Sequence, residues 1–384
     1  MNSSQLALVL AALGTFACSI NDEPADGAAQ GGQASVAGTT NGGSSAGTVS
    51  TVGGGGAGNA AGSAATAGAA GAAVVGGSGS GGAAGAGGSA GGAGGAAGSG
   101  GAGGAASKPV CPEGPFPKPE AGNAMTVCQG FQYAHNYNEG PTWVASQGAF
   151  FFSNFVQGAA GGNVTGDIIK YTPGGSCEVF IKDVGTNGLA VSKSGNLLGA
   201  THKTRSISEF DITTKQPTVL SDKYMDKLLD SPNDLVQSSS GNIYFSNPTY
   251  ELGGRPQGVG GAIFRRDPQG ALTLIKQSGA PNGVAISPKE DRLYVVNGGL
   301  WDLDASGAAS NNRDFPLNAD GLAIDCAGNV YLSGGSIRDP NGQEIAKFSG
   351  GTNLAFGGPE GKTLLIVGGG TNVKVVTMNL PGLP

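Results

Sequence analysis

The residues in this chain with the clearest chemical potential are the ones that open a recurring phrase. Glu139, Asn187, Asn233, Asn282, Asp320 and Asn353 each precede a short apolar strand that turns into a second apolar strand. All six offer oxygen and none is apolar. Asn and Asp also favour the turn before a strand, so a single case would mean little. Six of six at one place in a repeat is a ring. Two carboxylates with several amide oxygens are the hard donors that one divalent cation takes, Ca²⁺ above all, and Glu139 with Asp320 would balance its charge. The ring holds no imidazole or thiolate, which argues against zinc or copper. A cation held there could polarise a carbonyl oxygen and lower the pKa of water.

A ring needs elements that bring six distant residues to one axis. The phrases are EGPTWVASQGAFFFSN, NGLAVSKSGNLLGA, NDLVQSSSGNIYFSN, NGVAISPKEDRLYVVN, DGLAIDCAGNVYLSG and NLAFGGPEGKTLLIVG, and their starts lie roughly 33 to 49 residues apart. Each reads as a β-hairpin, with Val, Ile, Leu, Tyr and Phe flanking centres rich in Ser, Gly, Asn and Asp. Further strand-like pieces (DIIKYTP, SISEFDI, AIFRRDP) fall between them, and long helical periodicity is absent. Repeats of about 40 residues with four short strands each predict propeller blades, whose innermost strands line a central channel. The expectation is an all-β, six-bladed β-propeller over residues 136–384.

These phrases resemble the gluconolactonase and senescence-marker-protein (regucalcin-like) family of six-bladed propellers. EGPTW resembles its first-blade EGP motif. SPND followed by GNIYFSNPTYELGG resembles SPNDxxxxxxGxxYFTDPPYGL, APNGVAISPKEDRLYVV resembles PNGxxxSPDxxxLYVA, and NADGLAIDCAGNVYLS resembles PDGxxxDxxGNxxV. The resemblance implies a metal held by Glu139, Asn233, Asn282 and Asp320, and a lactone as small-molecule substrate. It implies Asp320 or His202 as the base, with Asn187, Asn233 and Tyr250 as substrate contacts. The loops Tyr250–Gly260 and Gly158–Thr165 would frame the opening. The chain departs from the family at Asn154, Asn247 and Asn297, where Asp is common, and at Ser231, where animal members carry Arg. Two activities stay open, a lactonase and a phosphotriesterase, and a calcium-stabilised binding propeller without catalysis is the alternative to both.

The remaining residues bound the problem. Gly makes up 74 of 384 residues, and it is concentrated in a stretch poor in aromatics and charge. Residues 19–107 therefore read as a disordered Gly/Ala/Ser-rich tether, and residues 108–135 as a Cys- and Pro-rich segment leading into the propeller. Residues 1–18 read as a signal peptide or lipoprotein leader: LALVLAALGTFA is an export-type apolar core ending at Cys18. Lipidation at Cys18 would leave a cell-envelope protein and its absence a secreted one. A net charge of −6 without a basic stripe excludes nucleic acid. Membrane contact is expected only through such an anchor, and the domain is expected to be monomeric. A bridge between Cys111 and Cys128 is expected to clamp the leading segment, with Cys177 and Cys326 paired or reduced. Asp302 and Asp304 read as a solvated loop and His135 as a packed residue, and GxSxG strings occur only in the Gly-rich tether, where no strand and helix frame them as an elbow.

Overall fold

The computed structural model describes residues 111–157, 164–370 and 372–383. The leader, Cys18, the tether and most of the loop Gly158–Thr165 lie outside the described residues. Six four-stranded sheets carry the domain. Blade one is Tyr137–Val144, Ala149–Phe155, Gly166–Tyr171 and Cys177–Ile181, and blade two is Thr186–Val191, Leu197–Thr201, Ser206–Phe210 and Pro217–Ser221. Blades three, four and five begin at Leu235, Val284 and Leu322. Within blades one to five the pairing is antiparallel, each strand beside the next in sequence.

The strands are apolar on both faces because each blade is sandwiched between two others. Ala149–Phe155, AFFFSNF, is buried along its whole length. Its Phe150 and Phe152 pack with Leu365, Val367 and Val375 of blade six, while Phe151 packs with Leu189, Leu197 and Phe210 of blade two. Four further clusters fill the remaining interfaces between neighbouring blades. Burying this much apolar surface is the main force that holds the blades side by side.

Blade six closes the circle. Asn353–Gly357, Thr363–Val367 and Lys374–Thr377 take as their outermost strand Met125–Thr126, from the other end of the domain. The leading segment is therefore part of the propeller, and the boundary expected at residue 136 moves back to include it.

This path also corrects the cysteine pairing. The bridges are Cys111–Cys326 and Cys128–Cys177, not Cys111–Cys128. Between those two cysteines the chain runs along blade six, from Ala121 beside Met378 to Val127 bonded to Val373. An extended run of this kind rises about 3.3 Å per residue, which carries Cys111 far beyond the roughly 7 Å that a disulfide can span to Cys128. Cys128 meets the outer strand of blade one instead. Cys111 reaches the turn after the innermost strand of blade five, at the end of the propeller away from the strand starts.

Candidate active site at the mouth of the channel

The innermost strands start close together, and the sequence shows how closely. A Cβ on Gly188 would lie 2.6 Å from the Asn233 carbonyl oxygen, and one on Gly283 would lie 2.7 Å from the Asp320 carbonyl oxygen. The residue after the ring position is glycine in four blades because the neighbouring strand occupies the space of a side chain. In blade three that residue is Asp234, which is buried below the ring.

Local irregularities aim the ring. In blade one the register shifts between Glu139 and Thr142, and in blade two between Thr186 and Leu189. Such bulges re-aim side chains. Here they sit at Glu139 and Asn187. The result is a cavity of about 300 Å³ lined by Tyr137, Glu139, Gln157, Asn187, Asn233, Tyr250, Glu251, Asn282, Ala319 and Asp320. All four expected metal ligands and all three expected substrate contacts meet there. Asn353 does not line it: its Oδ1 accepts the Leu354 N–H at 2.8 Å and the residue faces the deeper channel beside Asp234.

Electrostatics at the mouth is one-sided, since no Lys or Arg lines the cavity. Burial, then the nearby Asp320 charge, pushes the Glu139 carboxyl up to about 8. Burial raises Asp234 to about 6 and raises Asp320 as well, against the Asn282 amide that donates to its Oδ1 at 2.5 Å. Glu139 Oε2 accepts the Gly140 N–H at 3.1 Å, but Oε1 is buried with no partner in hydrogen-bond geometry, although Thr352 and Asn353 stand close enough to favour the charged carboxylate. Leaving a buried acceptor unsatisfied costs about 1–3 kcal/mol. Among the described residues no three His, Cys, Asp or Glu side chains cluster as a metal group. The donors at the mouth are carboxylates mixed with amides, a set suited to a hard cation.

Histidine placement differs from the sequence reading. His202 is fully buried and is not part of the cavity wall. Its Nδ1 lies 3.1 Å from Glu251 Oε2, and Phe155 packs edge-on against its ring. His135 lies 4.0 Å from Asp167 on blade one. Two of the departures from the family pattern have a structural use that Asp could not serve. Asn154 donates to the carbonyls of His135 and Tyr137 at 3.2 and 3.1 Å, and Asn247 donates to that of Gly260 at 3.0 Å. Ser231 donates to the Pro248 carbonyl at 2.7 Å. Asp304 caps an exposed turn through Ser306 and Ala308, as a solvated loop would, whereas Asp302 lies within the strand Gly299–Leu303 and pairs with Arg313 at 2.7 Å, so the loop reading holds for Asp304 and not for Asp302.

Fold and site together define a six-bladed propeller with an oxygen-lined cavity at one end of its channel. Residues 137–369 match the family described as SMP-30/Gluconolactonase/LRE-like region, and the chain belongs to that family. It is 31% identical over 289 residues to the gluconolactonase of Zymomonas mobilis, covering 63% of this chain and 78% of that protein. The solved gluconolactonase of Xanthomonas campestris shares the fold, with a TM-score of 0.58, 24% identity, and coverage of 71% of this chain and 99% of that one. A calcium-binding regucalcin from Agrobacterium tumefaciens shares it too, with a TM-score of 0.51, 19% identity, and coverage of 67% and 96%.

Proposed function

We propose that this protein hydrolyses a lactone to the corresponding hydroxy acid, using a divalent cation held by Glu139, Asn233, Asn282 and Asp320, with Ca²⁺ as the natural choice. The observation that carries the reading is the buried, unpartnered Glu139 Oε1 at the base of an open, oxygen-lined cavity. When bound, a cation there would polarise the ester carbonyl and stabilise the developing oxyanion. The chain's own groups would do the rest. Tyr137, Gln157, Asn187 and Tyr250 offer hydrogen-bonding groups to the ring oxygens and substituents of a substrate, and Ala319 leaves room beside Asp320. The relatives named gluconolactonase point to the same chemistry.

The test is a screen of sugar lactones, aliphatic lactones and aryl phosphotriesters before and after chelation. Opening of at least one lactone, lost with chelator and restored by Ca²⁺, is the expected result. Calcium-dependent thermal stabilisation with no turnover of any ester would leave a binding propeller in its place. We further propose export to an oxidising compartment, the setting in which the two disulfides of the described residues persist.

A further inference from the structure

The lactonase reading needs a group that takes a proton from water, and neither residue named for that task from the sequence suits it. His202 lies behind the cavity wall, fully buried. Asp320 is one of the proposed cation ligands, and it also accepts the Asn282 amide. A bound cation would compensate its charge, and a carboxylate so compensated is a weak acceptor.

Glu251 has neither handicap. It lines the same cavity, outside the ligand set, with its side chain 14% exposed. It is close enough to Asp320 for their charges to interact. Its loop is pinned from several sides. Arg255 donates to the carbonyls of His202 at 2.7 Å and Leu252 at 2.9 Å, and Arg205 donates to that of Pro256 at 3.0 Å. The Asp230 carboxylate accepts the Gly258 and Gly260 N–H groups at 2.6 and 2.7 Å. Such fixing keeps a reacting group in place at little entropic cost. The carboxylate is steadied from behind by His202 Nδ1 at 3.1 Å, close but not yet aligned as a hydrogen bond. Contacts of this kind often tighten only when substrate is bound.

Resting on the lactonase reading, we propose that Glu251 is the catalytic proton acceptor and that His202 is its positioning residue. As the water oxygen bonds to the lactone carbonyl carbon, its proton passes to Glu251. The tetrahedral oxyanion then collapses, the ring C–O bond breaks, and Glu251 returns the proton to the departing alkoxide. One lactone and one water give one hydroxy acid, and nothing is oxidised or reduced.

The experiment is steady-state kinetics on the calcium-loaded full chain, with a lactone that the wild type opens. Glu251→Gln, nearly isosteric, is expected to lower kcat by about 10²- to 10⁴-fold. Its Tm, KM and calcium affinity by calorimetry should stay near wild type. Formate or acetate should partly restore kcat to Glu251→Ala. His202→Leu should lower kcat by about tenfold, and His202→Asn, which keeps an N–H donor near the Nδ1 position, should recover most of that loss. Wild-type kcat in Glu251→Gln would overturn the proposal while leaving the lactonase reading intact. So would a change confined to KM for hydroxyl-bearing lactones, or failure of small carboxylates to rescue the alanine variant. A wild type that binds calcium yet opens no lactone would overturn both.

Discussion

The two ends of the channel are built from the same six strands and have opposite character. At the mouth the strand starts present oxygen, with Glu139 buried beside the half-buried Asp320 and Asp234 buried just below them. Further along the same strands Val284, Ala285, Ile286, Leu322, Ala323 and Leu354 enclose about 70 Å³, with Leu383 from the C-terminal tail among them. The far end is packed for stability. The mouth keeps the Glu139 and Asp234 carboxyls out of water, which costs folding free energy unless a cation or a proton compensates. The fold separates the two demands along one axis.

The comparison breaks most sharply at Glu139. Glu139→Gln is expected to lower lactone turnover by about 10²- to 10³-fold, the size of losing an oxyanion-stabilising group. In chelator at pH 8 its Tm should equal or exceed that of the wild type, because a buried charge has gone. A clear loss of Tm there would mean that the mouth is structural after all. The mirror experiment is Ile324→Ala at the far end, a residue buried along the deeper channel. It should cost about 2–5 kcal/mol by denaturant unfolding and leave kcat/KM within about twofold. A larger fall in activity than in stability would show that the two ends are coupled.

Titration sharpens the contrast. Glu139 rises from 4.5 to about 8 and Asp234 from 3.8 to about 6. Between those limits the folded chain binds protons that the unfolded chain has released, so stability falls as pH rises. In chelator, Tm should therefore decline from about pH 4 to pH 8 and level off above, and saturating Ca²⁺ should flatten the decline. The surface carboxylates Asp211, Asp302 and Asp304, held low by hydrogen bonds, act in the opposite sense and only at lower pH. The smallest effect belongs to Asp234→Asn, which should raise Tm in chelator by about 2 °C at pH 7 and remove the lower part of the slope. An unchanged slope would place the titration elsewhere.

The propeller was legible because its signal is repeated: six hairpin phrases each reported the same local geometry, and errors in one were checked by five others. Elements without a repeat were harder. Met125–Thr126 is a two-residue strand whose partner lies some 250 residues away, and nothing in MTVC announces it. The disulfides follow from that strand, so their pairing was misread with it. Asp234 was within reach: aligning the phrases places it at the position where four blades have glycine, a departure that marks a side chain entering the channel. Glu251 carried no comparable signal. It stands in a loop with no counterpart in other blades, where the family pattern YGL has Gly and this chain has Tyr-Glu-Leu, so the resemblance had no role to pass on.

The bond between Cys111 and Cys326 has a mechanical consequence. Closure of blade six by a two-residue strand is a weak point under tension, because a pull on the N-terminal side would peel Met125–Thr126 away from Lys374 and Val375 one hydrogen bond at a time. With Cys111 fastened to blade five, the load passes through a covalent link into the C-terminal half of the domain before it reaches that strand. Cys128, fastened to blade one, anchors the strand from its other side. The seam that closes the propeller is thus shielded from force applied through its N-terminal side.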